Sequence, residues 1–222
     1  MRRLAVINQK GGVGKTTTVV SLAGCFVQRG MRVLIIDCDG QCNASQWLRA
    51  EGRGIEAMLA GETPVPETRH GIDIIGGSKQ MYFAQPETLP APEGYDVVLY
   101  DSPATFGPVV NAIMRSAVDV IVPVEPKTMP LSGLADLSHS IQMAQHQNSS
   151  LDLLGVVVCR ILRSKLTSDA IHAISQRFRV LGKIPENVRL AEAPGSGLPI
   201  HMYAPKSSGG LAYGALSQEV IK

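Results

Sequence analysis

Three short segments carry side chains whose types and spacing suit phosphate chemistry. The first is Gln9 to Thr18, Q-K-G-G-V-G-K-T-T-T, which follows the apolar run Leu4 to Ile7 directly. A strand feeding a glycine-rich turn, with Lys-Thr opening the next helix, aims backbone N–H groups and a helix N-terminus at a polyphosphate. Lys15 is placed to reach the β and γ phosphates and Thr16 to ligate Mg2+, so the predicted ligand is ATP or GTP. Lys15 is expected in a solvated site, outside the core. The strict G-x-x-x-x-G-K-T pattern is not met, because Gln9 stands at its first glycine and Lys10 follows. The second segment, Tyr95 to Asp101, has the form of a Walker B strand, with Asp101 emerging at its end to hold Mg2+ through water. The third, Asp37-Cys38-Asp39-Gly40-Gln41-Cys42-Asn43, leaves another apolar run with two carboxylates. Beside a phosphate site they would repel the ligand unless Mg2+ or ordered water intervenes, which argues for phosphoryl chemistry. Thr16, Asp37 and Asp101 are the candidate metal ligands.

These segments can act together only if the chain brings them to one place. Short runs rich in Val and Ile recur at Leu4 to Ile7, Val33 to Asp37, Ile72 to Ile75, Val97 to Asp101, Val118 to Val124 and Leu153 to Val158. Continuous apolar runs suit strands covered on both faces. Helices are predicted between them, beginning near Lys15, Pro108, Leu131 and Thr167. The predicted fold is therefore α/β, a predominantly parallel twisted sheet flanked by helices on both faces. Ligands of such sheets gather at the carboxyl ends of strands, where all three segments lie. Residues 61–93, with five prolines, read as connecting loops around one short strand, and Pro194 to Gly210 is a second stretch rich in Gly, Ser and Pro. A chain of 222 residues buries roughly 70–75 % of its unfolded surface, so a single domain over residues 1–222 is expected.

Composition narrows the class of protein. The chain is 45 % hydrophobic and 18 % charged, with a formal net charge of +2. It has no apolar run of about 18 residues that would span a bilayer, and the opening Met1-Arg2-Arg3 leads straight into a strand, so a cytoplasmic location is expected. Cys25, Cys38, Cys42 and Cys159 form no secreted disulfide pattern and are expected as thiols. Charge is uneven: residues 1–152 carry 12 basic and 15 acidic side chains, whereas residues 153–222 carry nine and four. An excess of cations in the last third is what a polyanion-binding face requires.

Taken together, these motifs resemble the ParA/MinD family of deviant Walker A P-loop ATPases, most closely its Soj-like partition ATPases, over nearly the whole chain. Lys10-Gly11-Gly12-Val13-Gly14-Lys15-Thr16-Thr17 is similar to the family's phosphate loop, and Asp37 to Asn43 to its D-x-D-P-Q-G-N. Ile184-Pro185-Glu186-Asn187-Val188-Arg189-Leu190-Ala191-Glu192-Ala193-Pro194 resembles the partition group's I-P-x-N-V-R-L-S-E-A-P. The resemblance implies an ATP- and Mg2+-dependent hydrolase that is slow without a partner. It implies a homodimer formed around ATP, with Lys10 reaching the nucleotide of the other subunit and Asp39 supporting attack by water. Lys10, Lys15 and Asp39 are then the catalytic candidates. Residues 10–17 bind phosphate, and Cys159, Pro185 and Asn187 frame the adenine. It further implies non-specific DNA as a ligand, a DNA-binding adaptor of ParB type, nucleoid association and a role in plasmid or chromosome segregation. Arg189 is the family-matched DNA residue; Arg160, Arg163, Lys165 and Lys206 are further candidates by charge and position. Four positions depart from the pattern: Gly40 replaces Pro, Cys42 replaces Gly, Ala104 replaces Pro, and Ser208 stands where relatives often carry a basic residue.

Other readings fit less well. A dinucleotide-binding loop would need a glycine at Thr17, and Lys15-Thr16 marks a triphosphate and metal instead. An iron-sulfur reductase with the same loop would need cysteines between Cys42 and Cys159. A MinD-like membrane-cycling ATPase would need a basic amphipathic terminal helix, but Gly210 to Lys222 has Lys222 as its sole cation, so no membrane partner is expected. The alternatives are a ParA-like ATPase that positions a protein cargo and a MinD-like spatial regulator.

Overall fold

The computed structural model describes residues 1–126 and 131–222. In chain order the elements are β1 (Arg2–Val6), α1 (Lys15–Val27), β2 (Val33–Asp37), α2 (Asn43–Leu48), α3 (Gly54–Leu59), β3 (Glu67–Arg69), β4 (Ile72–Ile75) and β5 (Val97–Asp101). They continue with α4 (Pro108–Ser116), β6 (Asp119–Val124), α5 (Leu131–Gln145), β7 (Asp152–Ile161), α6 (Lys165–Ser175) and β8 (Val180–Pro185). The chain closes with α7 (Val188–Ser196), α8 (Ile200–Tyr203) and α9 (Ser208–Val220). The strands form one eight-stranded sheet in the order β3-β4-β2-β5-β1-β6-β7-β8. All neighbours are parallel except the β3–β4 pair at one edge.

Alternation along each strand divides the core. Leu4, Val6, Val33, Ile35, Val97 and Leu99 face one layer, packed by α1, α2, α7, α8 and α9. Ala5, Leu34, Ile36, Val98 and Tyr100 face the other, packed by α3 to α6. Period-two alternation thus buries both faces, which is why β2, β5 and β6 read as unbroken apolar runs. No helix among the described residues is long and apolar enough to cross a membrane.

The expected architecture is the observed one, and its core strands lie where the apolar runs put them. The differences are at the margins. β8, V-L-G-K-I-P, was not expected: it is an edge strand, half buried, with Gly182 and the exposed Lys183 interrupting its pattern. The stretch from Pro194 to Gly210 is more helical than its composition suggests, because α7 continues through Pro194 to a left-handed Gly197, and α9 begins at Ser208 with Ser207 as its cap.

Sheet order sets the geometry of the site. Because β5 lies between β1 and β2, Asp101 is in register with both Val6 and Asp37. The loops after these three strands therefore leave the sheet at one level.

Candidate nucleotide site

Asn8 starts the loop after β1: buried, it donates to Pro123 O at 2.7 Å and accepts from Lys10 N at 2.9 Å. The loop then turns through Gly12 (φ 74°) and Gly14 (φ 98°), left-handed conformations that disfavour a side chain. Gly14 caps α1 with backbone alone, and a Cβ there would meet Cys159 Sγ at 3.6 Å. The helix N-terminus is left open to an anion.

Lys15 corrects the expectation of a solvated lysine. It is 7 % exposed, with Nζ donating to Lys10 O at 3.2 Å. Burial lowers its pKa, and the charges of Asp101 and Asp39 oppose that shift. Thr16 Oγ1 donates to Asp101 Oδ2 at 2.7 Å. Asp101 is buried, and its Oδ1 has no hydrogen-bond partner. Burial, and then the charge of Asp37, push its pKa well up.

An orphaned buried carboxylate oxygen is costly unless a ligand satisfies it, and a divalent cation would fit. Among the described residues no three His, Cys, Asp or Glu side chains are grouped to hold an ion. Phosphate and water would therefore complete the coordination of Mg2+, as that ion prefers. Asp37 differs from the other metal candidates. Its Oδ2 accepts from Ser45 N at 2.9 Å and Ser45 Oγ at 2.6 Å, and its Oδ1 from Asp39 N at 3.3 Å. Burial raises its pKa to about 6, against the lowering effect of those bonds. Both oxygens are spent on holding the following turn. Asp39 is 8 % exposed and accepts from Gln41 N at 2.9 Å.

Gly11, Gly12, Gly14, Lys15, Thr16, Thr17 and Asp39 line a cavity of about 620 Å3. An adjoining cavity of about 370 Å3 is lined by Val13, Gly14, Thr17, Cys159, Pro185 and Asn187, so the three proposed adenine residues do lie together beside the loop. Asn187 is committed at both ends of its amide, accepting from Arg189 N at 2.9 Å and donating to Ser208 Oγ at 2.7 Å. The Cys159 thiol is pushed up to about 12 by burial and is a wall, not a nucleophile. Lys10 is exposed at the rim.

The basic candidates separate. Arg160 lines both cavities, has φ 52°, and pairs with Glu125 at 2.8 Å. Arg189 pairs with Glu192 at 2.8 Å, and Tyr203 Oη donates to the same carboxylate oxygen. Arg163, Lys165 and Lys206 are exposed, and the Asn187–Ser208 bond holds the loop bearing Lys206 against the start of α7. Sequence reasoning missed Asn8, Ser45 and Tyr213, whose Oη lies 3.2 Å from Thr18 Oγ1. Asn8 and Tyr213 act through contacts distant in sequence and Ser45 through one eight residues away, and only Asn8, next to the loop, carried a local signal.

Residues 4–200 match the model of the CobQ/CobB/MinD/ParA nucleotide binding domain. The chromosome-partitioning ATPase Soj of Thermus thermophilus is 37 % identical, covering 100 % of this chain and 96 % of that protein. The sporulation initiation inhibitor protein Soj of Bacillus subtilis is 32 % identical over 98 % of this chain and 97 % of its own length. Among solved structures, the septum site-determining protein MinD of Pyrococcus horikoshii, complexed with Mg-ADP, superposes with a TM-score of 0.83 at 27 % identity, covering 100 % of this chain and 96 % of that one.

Proposed function

The chain belongs to the CobQ/CobB/MinD/ParA nucleotide-binding family, and from that premise we propose that it is a ParA-type partition ATPase, converting ATP and water to ADP and phosphate in the service of DNA segregation. The observation that carries the reading is the contact of Thr16 with Asp101, whose second oxygen is left unpartnered, beside a cavity lined by Lys15 and Asp39. The full-length likeness to Soj proteins favours partition within the family.

Thr16 and Asp101 would hold Mg2+, which would supply charge to offset that on the transferring phosphoryl group. Lys15 binds the β and γ phosphates from its buried position, where a fixed charge acts strongly. Asp39, steadied by Gln41 N, orients the attacking water. Asp37 supports that turn from behind. Cys159, Pro185 and Asn187 frame the adenine by shape, since the Asn187 amide is already engaged. Lys10 completes the site of a second copy in an ATP-bound homodimer, and turnover is slow until a ParB-type adaptor stimulates it. Arg189, with Arg163, Lys165 and Lys206, meets DNA phosphates on the nucleoid, and Arg160 sits between that surface and the nucleotide.

Asp39→Ala tests the assignment. It should retain ATP, lose turnover, and accumulate as a dimer that stays on duplex DNA, read by light scattering after size exclusion and by DNA titration. Hydrolysis at the wild-type rate would remove Asp39 from its role, and a wild-type chain with no ATP-dependent DNA affinity at low salt would favour the protein-cargo ATPase.

A further inference from the structure

The turn carrying Asp39 is a partition between two cavities. Asp39, Gln41 and Ala104 face the phosphate cavity on one side, and the same three residues line a second cavity of about 210 Å3 on the other. Within the turn, Gln41 N donates to Asp39 Oδ1 at 2.9 Å and Cys42 N to Asp39 O at 2.8 Å, and Cys42 is left-handed at φ 55°. So thin a wall needs support from behind, because the position of Asp39 is the position of the water it would orient.

That support comes from one aromatic ring. Tyr82 ends a short 3-10 turn, Lys79–Tyr82, after β4. The turn is anchored: Met81 is buried, and Ser78 accepts from Gln80 N at 3.2 Å while donating to Glu56 at 2.5 Å. From there the Tyr82 ring lies against Gly40. A Cβ at residue 40 would fall 2.8 Å from each of Cδ2, Cε2 and Cζ, closer than such atoms approach, so a side chain there would displace the ring. The ring is 54 % exposed, with its covered side against Gly40. Desolvation, followed by the charges of Asp39 and Cys42, holds the phenol above its ordinary pKa. It is therefore neutral at pH 7 and adds no charge beside the carboxylate.

We propose that Tyr82 is a positioning residue for ATP hydrolysis, its ring bearing on Gly40 to hold Asp39 in place. This rests on the reading of Asp39 as the residue that orients water. It also accounts for glycine at position 40, where the resemblance has proline: a proline ring would occupy the place of the Tyr82 ring.

The test uses the full chain with Mg-ATP, in four variants with circular dichroism melting alongside. Tyr82→Ala should lower kcat on the order of tenfold, as loss of fixed geometry does, with KM for ATP unchanged. Tyr82→Phe should restore kcat, since packing and not the hydroxyl is at work. Gly40→Ala should reach the same low kcat by pushing the ring aside, and the Gly40→Ala/Tyr82→Ala double variant should fall no lower than either single one. Wild-type kcat in Tyr82→Ala, equal losses in Tyr82→Phe and Tyr82→Ala, or additive losses in the double variant would each overturn the proposal. If Tyr82→Ala fails to fold, Gly40→Ala decides alone: wild-type kcat there overturns it and a low kcat with unchanged KM supports it. An Asp39→Ala control separates the two layers. Full activity in that control sinks the hydrolytic reading itself, whereas an inactive control beside a fully active Tyr82→Ala sinks only the role of Tyr82.

Discussion

The carboxyl edge of the sheet is two different surfaces. At β1, β2 and β5 the polar atoms are buried, tied to strand register and crowded with like charges: Asp37 and Asp101 are fully buried, with Lys15 beside Asp101 and Asp39. At β7 and β8 the charged side chains reach solvent: Arg160, near the end of β7, and Arg189, in the first turn of α7, are each more than half exposed and hold a nearby carboxylate. Charge in the first region acts at low effective dielectric over a few ångströms; in the second it is screened by water and salt. The first suits a reaction that tolerates no slack, the second a polyanion of any sequence.

Lys15→Ala is the sharpest way to break the contrast. Removing one member of a buried charge cluster should weaken nucleotide binding by about 2–5 kcal/mol, read by fluorescence titration, and with it dimerisation and DNA association. A folded variant with near-normal ATP affinity would show that burial gives Lys15 no special weight.

A smaller effect should appear in pH dependence. Asp37 titrates near 6 in the fold and near 4 unfolded, so the folded state holds its proton more tightly. Its stabilising contribution is complete below the unfolded value and lost as pH rises through about 6. Between wild type and Asp37→Asn, the difference in unfolding free energy should therefore drift against wild type from pH 4 to pH 7. The drift should be on the order of 1 kcal/mol per pH unit where the two protonation states diverge. A constant difference in urea unfolding across that range would contradict the assignment.

Arg189→Ala should give the smallest change. Its pair with Glu192 is exposed, so the fold should lose little with it, and nucleotide affinity should not move. The slope of log K for DNA against log salt should fall in magnitude by about 0.9, equally on two unrelated duplexes. An unchanged slope removes Arg189 from the DNA surface; a loss confined to one duplex contradicts phosphate readout.

The same contrast explains what the sequence made legible. The half around the glycine loop is built by local backbone rules, so the glycine turn, the Lys-Thr pair and the acid ending an apolar strand were legible as separate features, and the structure brings Thr16 and Asp101 into contact. The burial of Lys15 did not show, because it depends on how α1 lies under the sheet. Nor did the engagement of Asp37 by Ser45, a contact that a D-x7-S spacing does not signal. At the other end, β8 hid behind Gly182 and Lys183, and α7 behind Pro194. Cys159, Pro185 and Asn187 could be grouped with the glycine loop only by resemblance, since the residues bounding that cavity come from separate elements.

One contact crosses between the two surfaces. Trp47, on the helix that follows the Asp39 turn, is 4 % exposed, borders the phosphate cavity, and donates from its indole nitrogen to Leu198 O at 3.0 Å, just beyond α7. It is the sole tryptophan in the chain. The protein therefore carries its own optical gauge where the turn bearing Asp39 meets the segment after α7. A shift of either segment would change the surroundings of that indole, and its ultraviolet emission would report the movement without any attached label.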